Sequence, residues 1–267
     1  MKALLKYLDR TLTGGALVRG VNVRRKRRFR TEVDAPFDAA MQIGYSRRGF
    51  SRELATLCDR YGSDKGETAT MTQPYPWPSH LYTDLYEMLF GQARQAVRLV
   101  VECGIGTNNP DLVSSMGQAG KPGASLRVWR DYFPNARVVG ADIDADILFA
   151  DDRIETFQCD QTSADSIADF RRNAGLGDET IDLIIDDGLH EYHAGIAFFE
   201  GMWPALRVGG THVIEDIVPP DAPKFARYLA GLPEGASGML VDMTTSSTPI
   251  GYNMLAVIRK TKATPLS

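Results

Sequence analysis

The sequence lacks the features that would place the protein in several common classes. It has three cysteines, Cys58, Cys103 and Cys159, which are widely spaced and form no CxxC pair, so reduced thiols are predicted rather than a disulfide framework. It has no apolar run of 18 residues, which excludes a conventional transmembrane helix. The first residues lack an apolar core followed by a small-residue cleavage site, so we expect no signal peptide. These absences favour a cytoplasmic protein.

The charge is distributed unevenly along the 267 residues. The net charge is −4, yet six basic residues lie within seven positions: Arg24, Arg25, Lys26, Arg27, Arg28 and Arg30. One interpretation of this run is a solvated arm or a contact segment between subunits of a homo-oligomer. The other is contact with an anionic membrane surface, peripheral to the membrane, or with an anionic substrate. Nucleic acid is the least favoured partner, and none is expected.

The chain divides into three parts, and no internal repeat is evident. Residues 1–50 form a basic N-terminal extension. Residues 51–93 look helical, with interruptions at Gly62–Gly66 and at the proline-rich stretch Pro74–Pro78, and are predicted to form a lid and one side of an acceptor site. Residues 94–267 are predicted to form the main domain, which is long enough, with 43% hydrophobic residues in the chain, to bury a full core.

Short apolar runs alternate with helical segments from residue 97 onward. The predicted strands are Val97–Cys103, Arg137–Asp142, Ile154–Cys159, Ile181–Asp186 and His212–Asp216, followed by Gly238–Met243 and Asn253–Ile258. Helices are predicted between them at Ser125–Phe133, Ser163–Asn173 and Glu191–Leu206. This alternation is typical of an α/β fold in which a mostly parallel, Rossmann-like sheet of seven strands has helices on both faces. The last strand is expected to pair antiparallel in a hairpin.

Two strand ends carry a concentration of acidic residues. The segments Asp186–His190 and Val213–Asp216 would place three or four carboxylates and one imidazole together at the carboxyl edge of the sheet. Ligands bind outside that edge in open α/β sheets. Hard divalent cations prefer oxygen ligands, and a histidine beside such a cation is well placed to take a proton. The sequence therefore predicts an active site at this edge.

The first strand ends in Glu102-Cys103-Gly104-Ile105-Gly106. Glycines at this point allow the backbone to approach a ligand closely. A dinucleotide-binding loop would require a further glycine where Asn109 stands, which argues against NAD. The E-x-G-x-G pattern instead resembles the class I S-adenosylmethionine-dependent methyltransferases. In that fold the acid at the end of the second strand, Asp142, would bind ribose, and Asp160-Gln161 would lie near the adenine.

Further motifs make the resemblance more specific, over roughly residues 55–220. They are the segment Gly62-Ser63-Asp64-Lys65, the segment His80-Leu81-Tyr82-Thr83, a long loop Thr107–Ala124 followed by Ser125–Pro134, and the two acidic strand ends. Together these motifs resemble the metal-dependent macrolide-sugar O-methyltransferases of the mycinamicin type. The resemblance implies transfer of a methyl group from S-adenosylmethionine to a sugar hydroxyl of a glycosylated natural product or glycan, with Mg²⁺ or another divalent cation.

The resemblance also implies roles for individual residues. Asp187, Glu215 and Asp216 match the metal ligands, and His190 matches the general base, so His190 and Asp187 are the expected catalytic residues. The expected cofactor-binding residues are Ser63, Lys65, Glu102, Gly104, Gly106, Ser125, Asp142, Asp160, Gln161 and Asp186. The expected acceptor is a small molecule or glycan that carries a deoxysugar. One wall of its pocket is predicted to include Tyr75 and Trp77, because aromatic faces suit sugar rings and flat aglycones.

Each assignment has a structural alternative. Asp186 and Asp187 could cap the helix that begins near Glu191. Glu215 and Asp216 could form a solvated loop entry, and His190 could be a structural histidine. The remaining histidines are interpreted as a surface residue (His193), a core residue with satisfied hydrogen bonds (His212) and a residue with either a substrate-side or a structural role (His80). For the whole chain, the alternatives are a methyltransferase of the same fold with a non-sugar acceptor, or a non-catalytic module that binds membrane or nucleic acid.

Overall fold

The computed structural model describes residues 26–39, 45, 51–68, 74–75, 77–244 and 253–263. The chain separates into two compact units, residues 1–42 and residues 43–267. In the first unit residues 26–34 are helical, and two ion pairs join residues one turn apart, Arg28 with Glu32 and Arg30 with Asp34. Arg24 and Arg25 of the basic run lie outside the described residues. Among the described helices, none combines the length and apolar character needed to cross a membrane.

The second unit begins with two helices that precede the sheet. Helix α1 spans Glu53–Tyr61 and ends at Gly62, whose φ of +82° is the left-handed conformation that glycine adopts readily at a helix end. Helix α2 spans Tyr82–Phe90. Both helices contribute side chains to the main hydrophobic core, including Leu54 and Tyr86. The lid and acceptor-side segment predicted for residues 51–93 therefore includes residues that are part of the core.

Strands and helices then alternate as the apolar pattern predicts. The strands are β1 (Leu99–Cys103), β2 (Arg137–Asp142), β3 (Ala150–Asp151), β4 (Ile154–Gln158), β5 (Ile181–Asp186), β6 (Leu206–Ile214), β7 (Ala236–Asp242) and β8 (Met254–Lys260). The later helices are α3 (Ala124–Tyr132), α4 (Ala164–Asn173), α5 (Tyr192–Met202) and α6 (Ala222–Ala230). Short 3-10 turns lie at Arg94–Ala96, Ala145–Ile147 and Trp203–Ala205.

Within the described ranges, eight strands form one sheet in the order β3-β4-β2-β1-β5-β6-β8-β7. Strands β4, β2, β1, β5 and β6 run parallel, whereas β8 pairs antiparallel with β6 and β7, as expected for the last strand. The mostly parallel α/β fold is therefore confirmed. All seven predicted strands are present, and the eighth, β3, is a two-residue edge strand too short to give an apolar pattern.

The boundaries of β6 differ from the prediction. Helix α5 ends at Met202, four residues earlier than expected, and the chain continues as the 3-10 turn Trp203–Ala205, because Pro204 has no amide N–H to donate to the α-helical hydrogen-bond ladder. The strand then begins at Leu206 rather than at His212. At the centre of the sheet, every residue of β5 is buried. Since β1, β5 and β6 are neighbours and parallel, their carboxyl ends meet at one edge of the sheet.

Candidate functional site

Main-chain hydrogen bonds continue one residue beyond the strands at this edge. The amide of Asp187 donates to the carbonyl oxygen of Cys103 at 2.8 Å, and the amide of Glu215 donates to the carbonyl oxygen of Asp186 at 2.9 Å. The acidic residues that follow β5 and β6 therefore start from a fixed backbone. The two acidic strand ends lie side by side, as expected, because β1, β5 and β6 are parallel neighbours in register.

The side chains of Asp187, His190 and Asp216 form a group that could hold a cation. Nε2 of His190 lies 3.3 Å from Oδ1 of Asp187 and 3.8 Å from Oδ2 of Asp216. One ligand atom from each residue lies within 4.8 Å of the others. His190 and Asp216 have φ values of +58° and +54°, a conformation that is uncommon for residues other than glycine and that is often found at functional sites. Two carboxylates and an imidazole are a donor set that fits a divalent cation.

Lys65 lies on the other side of Asp187. Its ammonium nitrogen is buried, 2.6 Å from Oδ2 of Asp187 and 3.2 Å from Oε1 of Glu102, and it also donates a hydrogen bond to Oε2 of Glu215. The second oxygen of Glu215 accepts a hydrogen bond from the hydroxyl of Tyr86 at 2.7 Å. Both oxygens of Glu215 are therefore bonded to protein donors. The structure groups His190, and not the predicted ligand Glu215, with Asp187 and Asp216.

The charges of this cluster shift the titration of its members. Burial by itself raises the pKa of Asp187, but the charge of Lys65 and the hydrogen bond with His190 outweigh burial and hold that pKa well below its usual range. For His190, burial lowers the pKa, but the hydrogen bond to Asp187 and the charge of Asp216 outweigh burial and raise the pKa to about 9. Burial raises the pKa of Asp186 to about 6.

A cavity of about 520 Å³ opens beside this cluster. Asp187, His190 and Asp216 line it. Eight of the ten residues predicted to bind the cofactor also line it: Ser63, Lys65, Gly104, Gly106, Ser125, Asp142, Asp160 and Gln161. The other two are buried beneath it. Glu102 accepts hydrogen bonds from the Ser125 hydroxyl at 2.6 Å and the Trp129 indole at 3.2 Å, and Oδ1 of Asp186 accepts one from Gln161 at 3.0 Å.

The loop after β1 is held in its turn by the end of β2. Gly104 and Gly106 have φ values of +84° and +85°. Between them, the amide of Ile105 donates to Oδ2 of Asp142 at 2.9 Å. The other oxygen of Asp142 accepts from the amide of Asp144 at 3.0 Å. The carboxylate of Asp142, predicted to bind ribose, therefore also secures the glycine loop.

Side-chain hydrogen bonds also hold the loop that follows β4. Oδ1 of Asp160 accepts hydrogen bonds from the amide and hydroxyl of Thr162 at 2.9 and 2.6 Å. The side-chain oxygen of Gln161 accepts a hydrogen bond from the amide of Leu189 at 2.7 Å. Since Gln161 also donates to Asp186, it connects the end of β4 with the loop that carries His190.

The structural alternatives can be compared with the geometry. Glu191, and not Asp186 or Asp187, occupies the N-terminal capping position of α5, and its side chain makes no capping hydrogen bond to the described residues. His193 is exposed and lies 3.3 Å from Glu191, which confirms its surface position. The prediction for His212 is wrong in one respect. It is buried in β6, but neither ring nitrogen has a hydrogen-bond partner among the described residues, because the aromatic rings of Phe198 and Phe199 pack against it.

His80, Tyr75 and Trp77 lie on the cavity wall as well. Nδ1 of His80 lies 3.0 Å from Oδ1 of Asn253. The rings of Tyr75 and Trp77 stack, with centroids 5.1 Å apart and planes inclined by 13°. The indole nitrogen of Trp77 donates to Oδ2 of Asp64 at 2.7 Å. Tyr75, Trp77 and His80 therefore contribute two aromatic faces and one buried histidine to the cavity wall.

Sequence reasoning assigned no role to two tyrosines of α2. The hydroxyl of Tyr82 donates to Oδ1 of Asp216 at 2.6 Å, and Tyr86 donates to Glu215. The two tyrosines are four residues apart, so they lie on one face of the helix. That spacing, next to the segment His80–Thr83, is the signal that could have identified them.

Comparison with known proteins agrees with the predicted resemblance. Residues 129–217 match the family model described as a methyltransferase domain. The chain is 32% identical over 203 residues to 8-demethyl-8-(2-methoxy-alpha-L-rhamnosyl)-tetracenomycin-C 3'-O-methyltransferase of Streptomyces olivaceus, covering 76% of this chain and 45% of that protein. It is 30% identical to mycinamicin VI 2''-O-methyltransferase of Micromonospora griseorubida, covering 80% and 51%.

A solved structure shares the fold. It is the MycE methyltransferase from the mycinamycin biosynthetic pathway in complex with Mg and SAH, with a TM-score of 0.55 and 22% identity, covering 79% of this chain and 55% of that one. The chain thus spans about half the length of the relatives that it matches. The predicted resemblance to the macrolide-sugar O-methyltransferases is confirmed.

Proposed function

We propose that this chain is a methyltransferase that transfers a methyl group from S-adenosylmethionine to a sugar hydroxyl and uses a divalent cation such as Mg²⁺. One observation carries the proposal: a single cavity is lined by the glycine loop after β1 and by the group Asp187, His190 and Asp216. A donor and an acceptor hydroxyl bound in the same cavity would be held close together, which is the main contribution of a protein to such a transfer. The named relatives act on rhamnosyl and macrolide substrates and support the choice of acceptor.

The donor side is assigned to the three loops that follow β1, β2 and β4. Gly104 and Gly106 have positive φ values and would let the main chain approach a ligand closely. The carboxylate of Asp142, which lines the cavity, would accept hydrogen bonds from ribose hydroxyls, and Asp160 and Gln161, which also line it, would lie near the adenine. S-adenosylmethionine supplies an electrophilic methyl group on its sulfonium. Glu102 and Asp186 are assigned a supporting role, because both lie beneath the cavity and bond to residues that line it.

The acceptor hydroxyl is assigned to the group at the ends of β5 and β6. Asp187 and Asp216 would hold the divalent cation, which lowers the cost of removing a proton from a sugar hydroxyl. His190, whose Nε2 faces Asp187, is the proposed general base. Without the cation, Asp187 and Asp216 raise the pKa of His190 to about 9, and a divalent cation bound to these carboxylates would offset their charge and lower that pKa, so that His190 could take the proton. Glu215, the third expected ligand, would reach the cation only by giving up its hydrogen bond to Lys65 or to Tyr86.

The acceptor molecule is assigned to the aromatic part of the cavity wall. The stacked rings of Tyr75 and Trp77 offer an apolar face of the kind that packs against sugar rings and flat aglycones. Asp64 holds the Trp77 indole, so this face has a defined orientation. A small molecule or glycan that carries a deoxysugar is the proposed substrate class, and a non-sugar acceptor is the alternative.

We also propose a domain organisation, an oligomeric state and a membrane contact for the chain. Residues 1–50 are proposed as a basic extension, 51–93 as the lid and acceptor-side segment, and 94–267 as the S-adenosylmethionine-binding domain of a cytoplasmic homo-oligomer. Weak contact with anionic membranes is assigned to residues 24–30, where Arg28 and Arg30 are exposed. Salt should weaken this contact, because exposed charges are screened over about 8 Å at physiological ionic strength. Sedimentation velocity tests the oligomer, and co-sedimentation with anionic liposomes at two salt concentrations tests the membrane contact.

Calorimetry and a transfer assay test the activity. Titration with S-adenosylmethionine should release or absorb heat with a defined stoichiometry, whereas titration with NAD should not. Methyl transfer to a rhamnosyl glycoside, followed by product mass, should require a divalent cation and stop in chelator. Binding of NAD without S-adenosylmethionine would overturn the donor assignment, and full activity in chelator would overturn the metal. Transfer to a catechol but not to any glycoside would favour the alternative acceptor class.

A further inference from the structure

Lys65 brings a buried positive charge into the carboxylate cluster from a distant part of the chain. Its side chain is 2% exposed, and its partners Asp187 and Glu215 lie 122 and 150 residues away in sequence. Oε1 of Glu102, which is fully buried, lies 3.2 Å from the same ammonium nitrogen. A buried lysine is stable only when such partners compensate for the loss of hydration. The three carboxylates depend on Lys65 for the same reason.

The hydrogen bonds divide the oxygens of the cluster into two sets. Oδ2 of Asp187 and Oε2 of Glu215 bond to Lys65. Oδ1 of Asp187 and Oδ2 of Asp216 face His190. Lys65 therefore occupies one oxygen of Asp187 and one of Glu215, which could otherwise both bind a cation. The oxygens of Asp187 and Asp216 that face His190 do not contact Lys65 and stay open to the cavity.

We propose that Lys65 is a built-in counter-ion that keeps the carboxylate cluster assembled and limits the affinity of the site for a divalent cation. This inference rests on the proposed function, because it presumes that a divalent cation binds at Asp187 and Asp216. Lys65 acts in two ways. Its fixed charge repels a second cation that shares Asp187 with it, and its bonds withhold Glu215 from the ligand set. Lys65 is thus a positioning residue that acts through Asp187 and Glu215.

The test replaces Lys65 by methionine, which keeps the length of the side chain and removes the charge. Titration calorimetry of the full chain with Mg²⁺ should show a dissociation constant at least tenfold lower in Lys65→Met than in the parent. The melting temperature of Lys65→Met in chelator should fall below that of the parent, because three buried carboxylates lose their cation. Added Mg²⁺ should raise the melting temperature of the variant by more than that of the parent.

Lys121→Met is the matched control. Lys121 lines the same cavity, but its side chain is exposed, so loss of its charge should change Mg²⁺ affinity less than twofold. Lys65→Arg keeps the charge, so its Mg²⁺ affinity should equal that of the parent. If Lys65 had a purely structural role, Lys65→Met would be less stable than the parent but would bind Mg²⁺ no more tightly.

A second variant guards against a protein that fails to fold. Lys65→Met with Glu215→Gln removes the pair together, which costs less stability than removing one partner, and leaves Asp187, His190 and Asp216 intact. This variant should bind Mg²⁺ more tightly than the parent, because Lys65 no longer shares Asp187 with the cation, but less tightly than Lys65→Met, because no carboxylate at position 215 can join the ligand set. Equal or weaker Mg²⁺ binding in both charge-removing variants would overturn the role of Lys65. Absence of Mg²⁺ binding in the parent and in every variant would instead overturn the metal site of the proposed function, so the two failures are distinguishable.

Discussion

Gly104 and Asp187 approach each other so closely that a side chain on Gly104 would collide with the main chain of Asp187. A Cβ atom at Gly104 would lie 2.2 Å from the carbonyl oxygen of Asp187 and 2.6 Å from Cα of Gly188. The glycine loop after β1 is therefore packed directly against the loop that carries His190. We expected this glycine to permit approach of a ligand, and the structure gives it a second reason, which is contact between the two loops of the site.

The first prediction follows from that contact. Gly104→Ala should lower the free energy of unfolding by about 2–5 kcal/mol, because it combines a positive φ with a collision that only a backbone shift relieves. Gly117→Ala is the control, since Gly117 also has a positive φ, +69°, but no atom of the described residues lies within 4 Å of its added Cβ. That variant should lose only about 1–2 kcal/mol. Urea unfolding measures both, and equal losses would contradict the contact.

The second prediction concerns Tyr82. Its hydroxyl donates to Oδ1 of Asp216 at 2.6 Å and leaves Oδ2 on the side of His190. Tyr82→Phe should lower stability by about 1–3 kcal/mol, the usual cost of losing a hydrogen bond to a charged group, and should also weaken Mg²⁺ binding severalfold. Calorimetry and thermal unfolding check the two effects.

Tyr132→Phe provides the comparison for Tyr82. Tyr132 donates to Glu87 at 2.6 Å and lies outside the cavity, so its loss should reduce stability without changing Mg²⁺ affinity or methyl transfer. If both tyrosine variants left Mg²⁺ affinity unchanged, Tyr82 would have no role in holding Asp216.

The third prediction separates the base from the metal ligands. His190→Ala should lower the rate of methyl transfer about 10²- to 10⁴-fold, the usual scale for loss of a general base, and excess Mg²⁺ should not restore it. Asp216→Asn should lower the rate too, but high Mg²⁺ should recover part of it, because a weakened ligand set still binds at higher concentration. Steady-state rates over a range of Mg²⁺ concentrations measure both. Recovery of His190→Ala by Mg²⁺ would make His190 a metal ligand instead.

The fourth prediction concerns stability and pH. Burial lowers the pKa of His212 to about 3, below its ordinary value of 6.5. Between these two pH values the unfolded chain binds a proton that the folded chain does not, so stability falls as pH falls below 6.5, and at pH 5 the loss is about 2 kcal/mol. His212→Leu should remove this loss, and the difference in unfolding free energy between pH 7.5 and pH 5.0 should shrink by about 2 kcal/mol.

Urea unfolding of the His212 variant at the two pH values is the measurement. His193→Gln is the control, because His193 is exposed, and it should leave the difference between pH 7.5 and pH 5.0 as in the parent. An unchanged difference in His212→Leu would mean that His212 takes up its proton in the folded state. At pH 7.5 the variant should be as stable as the parent or more stable, since it removes two buried ring nitrogens that have no hydrogen-bond partner in the described part of the chain.

Local patterns in the sequence were sufficient to predict the sheet and the acidic residues at its carboxyl edge. The alternation of short apolar runs with helices depends on neighbouring residues only, so it identified β1, β2, β4 and β5 within a few residues of their observed ends. Parallel strands bring their carboxyl ends to one edge, and for that reason Asp187 and Asp216 could be placed together before any contact was known. The early end of α5 near Pro204 was not predicted, because a single proline moves a helix boundary without changing the apolar pattern. Strand β3 was not predicted, because two residues are too few to show a periodicity.

The partners of individual side chains were decided by tertiary structure. Lys65 meets Asp187 and Glu215 across more than 120 residues of sequence, and only the packing of α1 and α2 beside the sheet determines which carboxylate oxygens it takes. Glu215 consequently faces Lys65 and Tyr86, although its motif predicts a metal ligand. The residue types in this sequence thus determined which chemistry is available at the edge of the sheet, whereas the arrangement of distant segments determined which atom bonds to which, because a hydrogen bond depends on distances of tenths of an ångström that no local pattern encodes.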